Sequence, residues 1–214
     1  NLWSTDEETG SITVTESGTY YVTVTSVCGR QTSDTVHIEL YPLPDADAGN
    51  DAELCNGDSI QLLATGGVAY SWNNESLLDD PDIQNPKAGP PAGTTEFIVT
   101  VTDDNECQNK DTVAVIVYPV PTATFSAPDY VCGTGIADIA YTGSASANGN
   151  FYWDFDEGST IHSGDSIGPY EVSWDAEGSK TISLVVEENG CSSDTTTGEI
   201  SVNVIPESDF EIVT

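Results

Sequence analysis

Cys28, Cys107 and Cys191 each sit in a short polar turn between two alternating segments, and they lie 79 and 84 residues apart. Two of them have an upstream companion: Cys55 precedes Cys107, and Cys132 precedes Cys191. A period of about 80 residues is the size of one small β-sandwich. The repeat therefore divides the 214 residues into small modules rather than one large domain. By this register each module is closed by one disulfide, Cys55 with Cys107 and Cys132 with Cys191. Both partners are expected near one pole of the sandwich, clipping end loops together. The upstream partner of Cys28 would lie before Asn1, which leaves Cys28 unpaired by truncation.

The apolar pattern has a period of two. Segment 19–25 (TYYVTVT) puts Tyr20, Val22 and Val24 on one face, and 35–40 (TVHIEL) puts Val36, Ile38 and Leu40 inward. Residues 59–64, 68–72, 96–102 and 112–117 read as strands, with Gly66-Gly67 as a tight turn and 78–93 as loop. Residues 136–142, 151–155, 180–187 and 199–204 read as strands of a further module. No segment has an apolar period of 3.6, so the fold class is all-β; the orders Cys55, Trp72, Cys107 and Cys132, Trp153, Cys191 are an immunoglobulin-like signal, which gives tandem Ig-like/PKD-like β-sandwiches in an extended array.

Proline marks the boundaries. Tyr41-Pro42-Leu43-Pro44 returns as Tyr118-Pro119-Val120-Pro121, and in weaker form as Ile205-Pro206. Residues 1–41 are thus the C-terminal part of one module. Residues 42–120 and 121–206 are complete modules, and 207–214 are the first strand of a following one. Short proline-containing linkers are stiff, which suits an extended arrangement.

Thirty-six acidic residues face four basic ones, for a formal charge of −32. Such a surface repels phosphate backbones and anionic lipid, which argues against nucleic acid and direct membrane insertion. No run of eighteen apolar residues occurs. Paired cysteines, no methionine and few lysines point to an oxidising, extracellular setting. Asn1 falls inside a module, which places the start of the polypeptide elsewhere.

Trp153-Asp154-Phe155-Asp156-Glu157-Gly158, followed by the strand 178–186 (GSKTISLVV), resembles a PKD domain. In that family the turn reads W-D-F-G-D-G, so Asp156-Glu157 departs from it and removes the permissive glycine. Residues 42–120 resemble the PKD-like or Ig-like repeats of very large bacterial surface proteins. They share Ala46-Asp47-Ala48-Gly49-Asn50-Asp51, Cys55-Asn56-Gly57, Ala64-Thr65-Gly66-Gly67, Tyr70-Ser71-Trp72 and Val99-Thr100-Val101-Thr102-Asp103. Residues 11–40 resemble the end of the same repeat. The resemblance implies gliding-type adhesins exported by the type IX route, where such repeats serve as cell-surface stalks or adhesive arms. Their partners would be adjacent modules of the same chain and an extracellular polysaccharide or surface. The alternatives are an accessory carbohydrate-binding module of a secreted hydrolase and a subunit of an extracellular filament.

Several residues invite a site. In some PKD domains the turn at Asp154 and Asp156 holds Ca²⁺, with Asp129 as a further ligand here. Asp45, Asp47 and Asp51 beside the proline linker are a second set, and Asp79, Asp80 and Asp82 a third. The competing reading is carboxylates solvated in turns. Asp34-Thr35-Val36, Asp58-Ser59-Ile60, Asp111-Thr112-Val113 and Asp165-Ser166-Ile167 resemble a bacterial O-glycosylation motif, making Thr35, Ser59, Thr112 and Ser166 acceptors. A turn Asp before a strand gives the same string. Asn74-Glu75-Ser76 is an N-glycosylation sequon. Trp72 and Trp153 are expected in cores; for Trp3 and Trp174 a core place and an outward aromatic platform for a sugar ring are both open. His37 lacks partners at catalytic spacing, and His162 has only Ser163 and Asp165 close in sequence, so no catalytic site is expected.

Overall fold

The computed structural model describes residues 1–206; the strand expected at 207–214 lies outside the described residues. Three bodies follow one another. The first is a three-stranded antiparallel sheet of β1 (Leu2–Trp3), β2 (Gly18–Thr25) and β3 (Gln31–Ile38). Tyr20 and Val22 fall on its apolar face as the alternation requires, but they are only half-buried, and Val24 and Val36 are exposed. No second sheet covers this face among the described residues.

The second body begins with β4 (Ala52–Cys55), β5 (Ile60–Gln61) and β6 (Ala69–Trp72). A 3-10 turn at Glu75–Leu77 is the one helical element described. Then come β7 (Lys87–Ala88), β8 (Gly93–Thr102) and β9 (Gln108–Tyr118). The main sheet runs β4-β9-β8-β6, and β5 pairs with β7 to start the facing layer. Phe97, Val99, Val101, Val113, Val115 and Val117 alternate inward from β8 and β9 and meet Leu62, Ala64, Ala88 and Trp72. β-branched residues suit this half-buried pleated surface.

The third body contains β10 (Phe125–Ser126), β11 (Tyr130–Cys132), β12 (Ala137–Tyr141), β13 (Asn150–Asp154) and β14 (Ser159–Ser163). It continues through β15 (Tyr170–Trp174), β16 (Gly178–Glu188), β17 (Cys191–Ser192) and β18 (Thr196–Asn203). One sheet runs β10-β12-β15-β14; the other runs β11-β18-β16-β13, with β17 paired to β16. Ile139, Val172 and Trp174 from the first pack on Ile182, Ile200 and Val202 from the second.

Two features repeat between the second and third bodies. Thr65 bonds the entering segment at Asp47, and Thr142 bonds it at Thr124. The next residue is glycine each time, because a Cβ at Gly66 would stand 2.0 Å from the Asp45 carbonyl oxygen and one at Gly143 1.9 Å from that of Thr122. The second feature is a short parallel pairing. Cys55 lies opposite Tyr118 on β9, and Cys132 lies opposite Asn203 on β18.

The tryptophans settle into two kinds of place. Trp3, Trp72 and Trp153 are equivalent, paired with Val22, Val99 and Leu184, and each donates its indole N–H to a backbone carbonyl six to thirteen residues further on. Trp72 is core as expected, and Trp153 is half-buried against Phe125, Phe155 and Tyr170. Trp174, for which the sequence leaves both places open, is core: it is 1% exposed and donates to the Phe155 carbonyl at 2.7 Å. The polar neighbours Ser173 and Asp175 hid a strand that turns Val172 and Trp174 into the core.

Candidate functional site: the disulfide between two modules

The two cysteines of a module lie at opposite poles. In the second module β9 starts beside the hairpin that carries Cys107 and ends at Tyr118, beside Cys55. Eleven extended residues span roughly 34 Å. A disulfide needs Cα atoms within about 7 Å. The expected Cys55–Cys107 bond is therefore excluded, and Cys132–Cys191 is excluded likewise by the length of β18.

Instead Cys55 bonds Cys191, with Cα atoms 5.5 Å apart and 136 residues between them in sequence. Cys55 stands at the C-terminal pole of the second module, and Cys191 in the hairpin at the N-terminal pole of the third. The bond thus crosses the junction alongside the Pro119-Val120-Pro121 linker. Cys28, Cys107 and Cys132 are free thiols, with Cys28 and Cys132 exposed and Cys107 half-buried.

Local structure fixes both ends. The Asn56 amide donates to the Tyr118 carbonyl at 2.8 Å, and the Asp58 amide turns back to the Cys55 carbonyl at 3.0 Å. Gly57 supplies the left-handed residue of that turn, at φ 98°. On the other side, Asn189 and Gly190 are both left-handed, at φ 52° and 76°, as a two-residue hairpin turn requires. The Glu188 carboxylate accepts the Ser146 amide and holds the hairpin on the neighbouring turn. Cys191 is 1% exposed, and the Cys55 sulfur lies 3.9 Å from the Gly190 carbonyl oxygen. Cys107 occupies the matching hairpin of the second module, where Asp103 accepts its amide at 2.8 Å. The Asn109 side chain ties the base of that hairpin to the Pro44 carbonyl, at the entry to the module.

The carboxylates considered for Ca²⁺ mostly serve the backbone. Asp47 accepts the Gly49 amide, Asp51 the Ala114 amide and Asp154 the Asp156 amide, at 2.8–3.0 Å. Asp156 accepts amides from Glu157 and Thr181. The Thr181 amide first, then that of Glu157, holds the Asp156 carboxyl below its ordinary 3.8. Asp129 is engaged through its carbonyl, by Ser201, and the Asp45 carbonyl lies under Gly66. Asp79 and Asp80 close the loop before β7. Among the described residues no three His, Cys, Asp or Glu side chains converge as a metal site.

Thr35, Ser59, Thr112 and Ser166 are all exposed. His162 bonds Ser173 at 2.8 Å, whereas Ser163 bonds Glu171; His37 bonds Thr19. Tyr118, beside Cys55, has its hydroxyl pushed up by the charge of Glu53.

The fold and this junction define a tandem array of Ig-like β-sandwiches. No family model matches the chain, and no curated protein does. Solved structures do share the fold. The N-terminal eight Ig domains of the Down Syndrome Cell Adhesion Molecule align with TM-score 0.56 and 12% identity, over 87% of this chain and 31% of that one. Drosophila OTK extracellular domains 3–5 align at TM-score 0.48 and 11% identity, over 89% and 72%. Protocadherin Gamma B2 cadherin domains 3–6 align at 0.42 and 15%, over 74% and 47%. The first of these carries the fold assignment.

Proposed function

We propose that this chain is a structural and adhesive segment of a large extracellular surface protein, a stalk or multivalent arm whose modules are set in fixed succession. The observation that carries the reading is the Cys55–Cys191 bond. Tandem domains joined by one short linker move relative to each other by default. A second covalent tether across the junction removes most of that freedom, which serves a protein whose task is to hold a distance. Such a bond persists only in an oxidising compartment, and the acidic surface suits a solvated extracellular chain. No helix among the described residues is long and apolar enough to cross a membrane. Trp174, one of the residues that an aromatic sugar platform would use, is buried.

Small-angle scattering of the oxidised and the reduced protein tests this. A fixed module arrangement predicts a sharp maximum dimension when oxidised and a broader distribution of distances after reduction. Identical profiles in the two states would remove the argument. Binding of the chain to a glycan array at affinities typical of lectins would shift the assignment to carbohydrate recognition.

A further inference from the structure

We infer that the joint between the second and third modules modifies itself: Asn56 and Asn189, one on each side of the Cys55–Cys191 bond, convert to aspartate and isoaspartate through cyclic imides. The inference rests on the reading of that bond as the junction between modules. The chain contains three Asn-Gly pairs, beginning at Asn56, Asn148 and Asn189. Glycine favours this reaction because no side chain hinders the approach of its amide nitrogen to the asparagine carboxamide. The attack is intramolecular, so it needs no partner beyond water. The folded structure then sorts the three pairs.

The Gly149 amide is held. It donates to the Ser146 carbonyl at 3.1 Å, and the Asn148 amide donates to the Ser146 hydroxyl at 3.3 Å. An amide bound in this way has to be released before it attacks. The Gly57 and Gly190 amides donate to no acceptor among the described residues. Asn56 and Asn189 are both exposed. At Gly57 and Gly190 nothing stands within 4 Å of where a Cβ would be, whereas at Gly149 the Glu187 carbonyl oxygen lies 3.2 Å from it. The two unhindered pairs are also the two that border the joint. Asn56 follows Cys55 directly, and Asn189 lies two residues before Cys191 in its hairpin turn.

The glycine amide nitrogen bonds to the carboxamide carbon. Its proton leaves with the carboxamide nitrogen as ammonia, and the ring closes. Water then adds to one ring carbonyl and breaks its bond to nitrogen: opening at the side-chain carbonyl gives aspartate, and opening at the main-chain carbonyl gives isoaspartate. One water is consumed, one ammonia is released, and nothing is oxidised. Each conversion adds a negative charge to a chain already at −32. Isoaspartate also routes the main chain through the side-chain methylene, which lengthens the turn by one carbon. At Asn56 this strains the bond from the Asp58 amide to the Cys55 carbonyl, 3.0 Å in the unmodified chain. At Asn189 it spoils a two-residue turn that pairs Glu188 with Cys191 and needs both central residues left-handed. Cys191, 1% exposed in the unmodified chain, then opens to attack by an outside thiolate.

The test is incubation of the oxidised 214-residue protein at neutral and mildly alkaline pH, followed by non-reducing peptide mapping by mass. The expected result is conversion of Asn56 and Asn189, faster at the higher pH because the deprotonated amide attacks. Asn148 is expected to lag by about threefold to tenfold, the span that one net hydrogen bond allows. In urea the three pairs should convert at one common rate, which shows the difference to be structural. Dithiothreitol should open Cys55–Cys191 faster in the aged protein than in the fresh one. The double variant Asn56→Ser/Asn189→Gly removes both carboxamides and should keep one reduction rate at every age. Asn56 or Asn189 left intact, Asn148 converting as fast in the folded protein, or equal reduction rates for aged and fresh protein would overturn the inference. Absence of Cys55–Cys191 from the digest of fresh protein would overturn the proposed function as well; its presence beside unmodified asparagines defeats this inference alone.

Discussion

Gly66 and Gly143 hold equivalent places, one residue after a threonine that bonds the entering segment. At φ +105° with a carbonyl 2.0 Å from any added Cβ, Gly66 admits no side chain without moving the backbone. Gly66→Ala is expected to cost its module about 2–3 kcal/mol, read as a lower urea midpoint by circular dichroism. Trp174→Phe keeps a ring in the core but leaves the Phe155 carbonyl without its donor. A loss of about 1–3 kcal/mol is expected from that alone, and an unchanged midpoint would contradict the assignment of Trp174 as core. Asp156 gives a pH signature. Its folded carboxyl keeps its charge to lower pH than the unfolded one, whose ordinary value is 3.8. Its contribution is complete above that value and fades as the pH falls through it toward the lowered one. Thermal unfolding of Asp156→Asn across this window should show a flatter acid limb than the natural protein.

At the scale of elements, alternation made the long strands legible. Runs such as 96–102 and 112–117 bury every second residue, and a period of two with β-branched side chains leaves little choice. What stayed hidden was short or polar. β4 and β11 are brief segments whose one clear product is the placement of a cysteine, and β15 buries Ser173 between Val172 and Trp174 and leaves Glu171 exposed. The hairpin turns holding Cys107 and Cys191 were visible, yet their pole was not. That depends on which way β4 runs relative to β9, a long-range relation no local pattern encodes. The Asn189-Gly190 pair was a signal for a tight turn that fixes where Cys191 points. Closing a loop of 136 residues is worth about 5 kcal/mol in the chain-entropy account. Cys55→Ser or Cys191→Ser should therefore lower the denaturant midpoint of the second and third modules. Equal midpoints for the mutant and the oxidised natural protein would show that the bond is not formed in solution.

For the whole molecule the governing quantity is charge. Thirty-six carboxylates against four cations leave the folded chain repelling itself. Raising ionic strength from about 0.01 to 0.15 M shortens the Debye length from about 30 to about 8 Å, so the melting temperature should rise over that range. A flat response would mean that the charges are spread too widely to matter for stability.

The position of the bond also governs what happens when the chain is pulled from its two ends. Force reaching the second module from the third enters at Tyr118 through the linker and at Cys55 through sulfur, and these two residues are neighbours on parallel strands. Both strands are drawn the same way, so the ladder between them is not sheared apart at that end. The 136-residue span between Cys55 and Cys191 cannot lengthen even if both sandwiches unravel. At about 3.5 Å per residue that withholds roughly 480 Å of contour from an oxidised chain, a length that would be released only when a reductant, rather than tension, opens the joint.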